Sequence, residues 1–226
     1  FSTLAARHNL ILIEDCAHVA GASWQGRGVG SFGALGCFSF QLTKPLTCGE
    51  GGAVVTSVEE LEVACYALLN CGRSRPGDVV RPCPLGWNLR LGELQAALLN
   101  SQFQRLDFWM DRREANARLL LQGLADLSWV ESVRLDERVT RRQYYYLTLR
   151  YKREACDGLP RDLVVRALQA EGVPTQLPYV PLYRDPLLVD AAGSVRPTPY
   201  GGQLPAFHGV DCPVAENAVR HEIVNL

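Results

Sequence analysis

The sequence predicts an α/β fold in two parts, a large domain over residues 1–125 and a small α+β domain over residues 126–226. In the first part, short apolar runs alternate with glycine-rich loops and one acidic helical stretch. A long amphipathic stretch follows, and two strand-like segments and a further helical segment come after it. The length of 226 residues is enough for one large domain or two small ones.

The first elements are predicted to be buried strands. Residues 10–14 form a short apolar run that ends in an acid, which is typical of a strand buried on both faces, and Asp15 follows at its carboxyl end. Residues 37–40 form a second such run, after a loop over residues 18–36 that is rich in glycine and serine. Residues 53–56 are mostly β-branched and predict a third strand, and residues 58–70 predict an acidic helix.

Residues 91–124 carry the strongest helical pattern. The apolar side chains at helical spacing are Leu99, Phe103, Leu106, Met110, Ala117 and Leu121. We therefore predict one long amphipathic helix that connects the two domains. Beyond it, residues 129–135 and 143–151 predict strands and residues 161–171 predict a helix, which together make the small domain.

Composition excludes several classes of partner. The net charge is −1 and basic residues form no extended cluster, so we predict neither nucleic-acid nor membrane binding. The eight cysteines include no Cys-x-x-Cys and the four histidines are scattered, which favours reduced thiols and no metal site. Because the chain begins with Phe1 and its only methionine is Met110, we expect a piece of a longer cytoplasmic protein.

Residues 28–33 match the dinucleotide-binding pattern Gly-x-Gly-x-x-Gly, but in the wrong context. The pattern lies more than ten residues after the first predicted strand, and a strand follows it instead of a helix. We therefore expect a loop that needs positive φ angles and close backbone approach, not a nucleotide site.

Asp15 and Lys44 are the candidate chemical pair. A lysine that follows a strand in an uncharged, glycine-rich stretch is either a desolvated nucleophile suited to Schiff-base chemistry or an ordinary surface lysine. An acid at a strand's carboxyl end either faces a ligand or caps a helix. A pyridoxal phosphate site requires both a lysine and a carboxylate for the ring nitrogen, so the two residues support each other.

Six motifs resemble one known family. They are residues 14–18 (Glu-Asp-Cys-Ala-His), 30–33 (Gly-Ser-Phe-Gly), 38–44 (Phe-Ser-Phe-Gln-Leu-Thr-Lys), 46–53 (Leu-Thr-Cys-Gly-Glu-Gly-Gly-Ala), 86–90 (Gly-Trp-Asn-Leu-Arg) and 93–97 (Glu-Leu-Gln-Ala-Ala). The chain resembles the DegT/DnrJ/EryC1/StrS family of sugar and cyclitol aminotransferases. The resemblance implies a partial aspartate aminotransferase-like (type I) fold, with a mixed sheet in the large domain, and a pyridoxal phosphate-dependent homodimer with a shared site.

The resemblance also implies roles for five residues. Lys44 would form the Schiff base with the cofactor and move protons, and Asp15 would pair with the pyridine nitrogen. His18 would contact the cofactor ring or its hydroxyl, Ser39 would bond the phosphate, and Asn88 would reach the cofactor of the neighbouring subunit. Their ordinary alternatives are a buried strand hydroxyl for Ser39, a turn residue for Asn88 and a loop histidine for His18.

The chain also departs from the family. Ala34 stands where many relatives have aspartate, which removes a carboxylate near the site. The segment that grips the phosphate and stacks on the cofactor ring would precede Phe1, so we expect these 226 residues alone to bind the cofactor weakly or not at all.

Residues 141–146 and 176–183 resemble the branch of the family that acts on keto-cyclitols such as scyllo-inosose, or that makes aminohydroxybenzoate. Tyr179 and Tyr183 are candidate substrate residues, although such aromatics are more often core or interface. The expected reaction is amino transfer from glutamate or glutamine to a keto-sugar or keto-cyclitol. The alternatives are a sugar dehydratase, in which histidine typically replaces the lysine, and a non-catalytic binding or dimerisation module.

Overall fold

The protein is described by a computed structural model that covers residues 1–77, 85–186, 189 and 209–226. These residues form two compact units. Unit 1 contains residues 1–118 and 136–145, and unit 2 contains residues 119–135 and 146–226. The domain boundary predicted after residue 125 stays a prediction, because compactness alone does not define an independently folding domain.

Unit 1 is built on a three-stranded sheet in the order β1-β4-β5. The sheet is mixed, which confirms the prediction. Its strands are β1 (Ile13–Asp15), β4 (Leu35–Ser39) and β5 (Gly52–Val55). β1 runs parallel to β4, with Asp15 opposite Cys37, and β5 runs antiparallel to β4. The prediction that the first strand is buried on both faces is wrong, because Ile13 is 56% exposed. Within the described part of the chain, β1 has a strand partner on one side only.

A second small sheet of unit 1 was not predicted. It has the order β3-β2-β7, and its strands are β2 (Ser23–Trp24), β3 (Arg27–Gly28) and β7 (Val139–Arg141). The side chain of Thr140 accepts a bond from the Gly26 amide at 2.9 Å, and its hydroxyl lies 2.8 Å from the Ser23 hydroxyl. These contacts bring residues 136–145 back to unit 1.

The helices of unit 1 correct one prediction. They are α1 (Ser2–Arg7), α2 (Glu59–Leu69), α3 (Glu93–Phe103) and the start of α4 (Leu106–Gly123), which continues into unit 2. α2 confirms the acidic helix. The prediction of one long helix over residues 91–124 is wrong. The Arg105 amide donates to the Gln102 carbonyl, and this tightened turn separates α3 from α4. Neither glycine nor proline marks the break, so the apolar spacing continues across it.

Unit 2 contains a three-stranded antiparallel sheet in the order β6-β8-β9. Its strands are β6 (Val130–Ser132), β8 (Thr148–Tyr151) and β9 (Ile223–Asn225), and its main helix is α5 (Arg161–Ala170). Leu149 and Tyr151 are buried at alternate positions of β8, and Tyr151 packs with Val165 of α5 and Val224 of β9. The predicted helix and both predicted strand regions are present, although the strands are shorter.

Two further sequence expectations concern side chains and membranes. The seven cysteines that the structure describes are free thiols, while Cys83 lies outside the described residues, as does His208. Among the described helices, none combines the length and apolar character needed to cross a membrane.

Candidate functional site

The candidate site lies at the edge where β1 and β4 both end. Because parallel strands place their carboxyl ends at one edge of a sheet, Asp15 and the residues after Ser39 lie on the same side. Asp15 is exposed, and its Oδ1 accepts a bond from the Ala17 amide at 3.0 Å. A turn follows it instead of a helix, so the helix-cap alternative is wrong. Among the residues that the structure describes, only Oδ1 accepts a hydrogen bond, which leaves Oδ2 for a ligand.

Lys44 lies on the loop over residues 40–48, whose two ends are hydrogen-bonded to each other. The Phe40 carbonyl accepts bonds from the Cys48 amide at 3.0 Å and from the Thr47 hydroxyl at 3.1 Å. Phe40, Leu46 and Cys48 are all buried in the main core cluster of unit 1. The loop is therefore fixed at both ends, and it presents a half-buried Lys44 between them.

His18 is near enough to both charged residues for each to shift the pKa of its imidazole. Burial lowers the pKa of its imidazole, the Lys44 ammonium lowers it further, and the Asp15 carboxylate acts in the opposite direction. The ring of Tyr145 stacks on the imidazole, with 4.2 Å between centroids and 6° between planes. The structure therefore brings Asp15, His18 and Lys44 together, as the sequence predicts, and adds Tyr145.

The glycine-rich loop leads into the amino end of β4, and its backbone amides bind a carboxylate of the protein itself. The Glu14 carboxylate accepts bonds from the amides of Gly30 at 2.8 Å, Phe32 at 2.6 Å and Gly33 at 2.7 Å. Gly30 has a φ of 84°, and a Cβ on Gly33 would lie 2.5 Å from the Leu12 carbonyl oxygen. The loop therefore has the positive φ angle and the close backbone approach that we predicted, and the Glu14 carboxylate binds its amides where a nucleotide site would bind phosphate.

The remaining predicted residues lie in different settings. Ser39 is half-buried at the end of β4, and its Oγ lies 3.4 Å from the Gln41 amide nitrogen. Asn88 is exposed and pairs with Asn70 through its backbone. Tyr179 and Tyr183 belong to unit 2, where Tyr179 is 81% exposed and the Tyr183 hydroxyl donates to Glu216 at 3.0 Å.

The chemistry of these side chains fits pyridoxal phosphate. Lys44 is the only lysine of unit 1, since the sequence contains just one other, Lys152. An amine and a carboxylate at one edge are the groups that a pyridine aldehyde requires, and the imidazole near them can contact its ring. Sequence reasoning missed Tyr145 and the role of Glu14. The aromatic run at residues 144–146 was a usable signal for Tyr145, whereas only the folded loop reveals what Glu14 binds.

Comparisons with known proteins identify the family and the fold. The sequence pattern of the DegT/DnrJ/EryC1/StrS aminotransferase family matches residues 1–200. A Micromonospora echinospora protein, provisionally named L-glutamine:3-amino-2,3-dideoxy-scyllo-inosose aminotransferase, is 42% identical over 229 residues, which cover 98% of this chain and 54% of that protein. The L-glutamine:2-deoxy-scyllo-inosose aminotransferase of Streptoalloteichus tenebrarius is 38% identical over 199 residues, which cover 84% of this chain and 47% of that protein.

A solved structure confirms the fold. The aminotransferase of Psychrobacter cryohalolentis superposes with a TM-score of 0.82 at 30% identity, over 99% of this chain and 58% of that one. The match confirms the predicted type I architecture in partial form, and the chain spans about half the length of the curated relatives it matches. The chain belongs to the DegT/DnrJ/EryC1/StrS aminotransferase family.

Proposed function

We propose that this protein is a cytoplasmic, pyridoxal phosphate-dependent aminotransferase that moves an amino group from L-glutamine to a keto-cyclitol of the scyllo-inosose type. The observation that carries the proposal is the grouping of Lys44, His18 and Asp15 at one sheet edge. The named relatives support the choice of donor and ketone, because each is named for glutamine and a scyllo-inosose derivative. Lys44 and the aminotransferase names favour transamination over dehydration.

Each residue has a distinct task in this proposal. When bound, pyridoxal phosphate supplies an electron sink for the carbon that loses or gains the amino group. Lys44 Nζ would hold the cofactor aldehyde, and as a free amine it would move a proton as general base. Asp15 holds a proton on the ring nitrogen, His18 orients the ring, and the Ser39 hydroxyl bonds the phosphate.

A homodimer with a shared site is the assembly we propose, with Asn88 reaching the partner's cofactor. Asn88 lies in a stretch of exposed apolar side chains, which includes Trp87 at 57% and Leu89 at 64% exposure. Exposed apolar side chains also occur in α3, where Leu94 is 88% exposed and no residue is buried. Grouped exposed apolar side chains are typical of a protein interface.

Reductive trapping tests the cofactor site directly. The protein is treated with pyridoxal phosphate over a range of concentrations that extends high enough to detect weak binding, and then with borohydride, and labelling of Lys44 and Lys152 is mapped by mass spectrometry. We expect label on Lys44 in preference to Lys152, which is paired with Glu131 in unit 2, and a lower yield in Asp15→Asn. Lys44→Arg is the control that removes the site signal. Equal labelling of both lysines at every cofactor concentration would contradict the proposal.

The amino donor has its own assay. The protein is incubated with pyridoxal phosphate and either L-glutamine or L-glutamate, and pyridoxamine phosphate is quantified. A keto-cyclitol should then consume that pyridoxamine phosphate and restore the aldehyde, as a ping-pong reaction requires. Product formed without Lys44, in Lys44→Arg, would show that the lysine does not serve the reaction.

A further inference from the structure

The Tyr145 side chain contacts two of the proposed cofactor residues, His18 and Lys44, and also Thr43, which directly precedes the lysine. The ring of Tyr145 stacks on His18, and Lys44 Nζ lies 5.0 Å from the centroid of the same ring. The Tyr145 hydroxyl lies 3.1 Å from Thr43 Oγ1. Tyr145 therefore joins the loop that carries the lysine to the turn that carries the histidine.

The backbone around Tyr145 is held by contacts that do not involve its ring. Gln143 is 4% exposed; its amide nitrogen donates to the Ala20 carbonyl at 2.8 Å, and its amide oxygen accepts from Arg113 at 3.1 Å. Tyr144 has a φ of 49°, in the left-handed region that bulky residues rarely adopt. Gln143 is buried and held by two hydrogen bonds, and the strained Tyr144 follows it. Together they fix the position of the backbone that carries the Tyr145 ring.

The Tyr145 ring restricts Lys44 and His18 in different ways. The face of an aromatic ring attracts a cation, and this attraction limits the many rotamers that the four-carbon lysine stem would otherwise adopt. The parallel stack covers one face of the imidazole and limits rotation of the histidine. The hydroxyl bond to Thr43 is exposed, so it contributes less than the ring.

We propose that Tyr145 is a positioning residue whose ring face, and not its hydroxyl, holds the Lys44 side chain and the His18 imidazole at the carboxyl edge of β1 and β4. This inference rests on the proposed function, in which Lys44 is the reacting amine.

Reductive trapping of Lys44 tests the ring. Tyr145→Leu removes the aromatic face, Tyr145→Phe keeps it and loses the hydroxyl, and Tyr66→Leu removes a ring of the same unit that lies under the Arg75 guanidinium. We expect the pyridoxal phosphate concentration that half-saturates Lys44 labelling to rise about 5-fold in Tyr145→Leu. It should stay within about 2-fold of the unaltered protein in Tyr145→Phe and Tyr66→Leu.

A second measurement needs no cofactor. The His18 imidazole is titrated by proton NMR, with its signal assigned from the spectrum of His18→Gln. Because the stacked ring of Tyr145 covers one face of the imidazole, and burial and the Lys44 ammonium both lower its pKa, losing the ring should raise the pKa of His18 towards its ordinary value in Tyr145→Leu. Tyr145→Phe should leave that pKa unchanged, and far-ultraviolet circular dichroism of each variant verifies that it is folded.

The outcomes separate this inference from the proposed function. Equal labelling of Lys44 and Lys152 in the unaltered protein defeats the cofactor site, and the His18 titration then still decides whether Tyr145 positions the imidazole. Unchanged half-saturation and an unchanged titration in a folded Tyr145→Leu overturn the inference. Equal defects in Tyr145→Phe and Tyr145→Leu also overturn it, because the hydroxyl would then be the group that matters.

Discussion

Replacing Glu14 should loosen the glycine-rich loop, and the effect can be estimated from the structure. One half-buried carboxylate accepts three backbone bonds, from Gly30, Phe32 and Gly33. A hydrogen bond to a charged group contributes about 1.5–3 kcal/mol net when well shielded. Because Glu14 is only half-buried, we expect about 1 kcal/mol for each bond and about 3 kcal/mol for Glu14→Ala.

Glu14→Gln should lose less than Glu14→Ala. The amide oxygen can replace Oε1 and accept from Phe32 and Gly33, but the amide NH₂ then faces the Gly30 amide, which is also a donor. The weakened pair and the opposed donors together should cost about 2 kcal/mol. Glu137→Gln is the matched control, since it neutralises an exposed carboxylate of the same unit.

Amide hydrogen exchange measures the effect where it occurs and does not require the two units to unfold together. A loss of 2 kcal/mol corresponds to about 30-fold faster exchange of the Gly30, Phe32 and Gly33 amides in Glu14→Gln. Exchange within about 2-fold of the unaltered protein would refute the reasoning, because the carboxylate would then not be holding the loop.

Two further variants test unit 2 and the proposed dimer. Arg161 is 6% exposed and donates to the Val219 carbonyl at 2.6 Å and to the Ile223 carbonyl at 3.1 Å, so Arg161→Met should lower the free energy of unfolding by about 3 kcal/mol. Urea unfolding measures it, and Arg166→Met, on the exposed side of α5, should change little. Leu94→Glu should weaken self-association about 30-fold in sedimentation equilibrium, because a carboxylate would be buried at the interface. The control Val214→Glu, at an equally exposed apolar residue of unit 2, should not; a Leu94→Glu protein that associates normally would place the interface elsewhere.

Much of the fold could be predicted from local pattern. β4, β5, α2 and α5 follow apolar runs, β-branched residues and helical spacing, which depend on neighbours a few residues apart. The break between α3 and α4 could not be predicted in this way, because no residue type marks it. Nor could the pairing of β7 with β2, which joins residues more than a hundred positions apart.

The sequence by itself determined the reactive groups. Lys44, Asp15 and His18 are recognisable from residue type, spacing and family resemblance, because these record which chemistry the chain can offer. Only the tertiary structure decided which groups meet: the parallel pairing of β1 and β4 brings the acid and the amine to one edge, and the return of residues 136–145 places Tyr145 against both loops. The tertiary structure also decided that the amides of the glycine-rich loop bind Glu14. Which acceptor those amides bind depends on which carboxylate the fold places beside them.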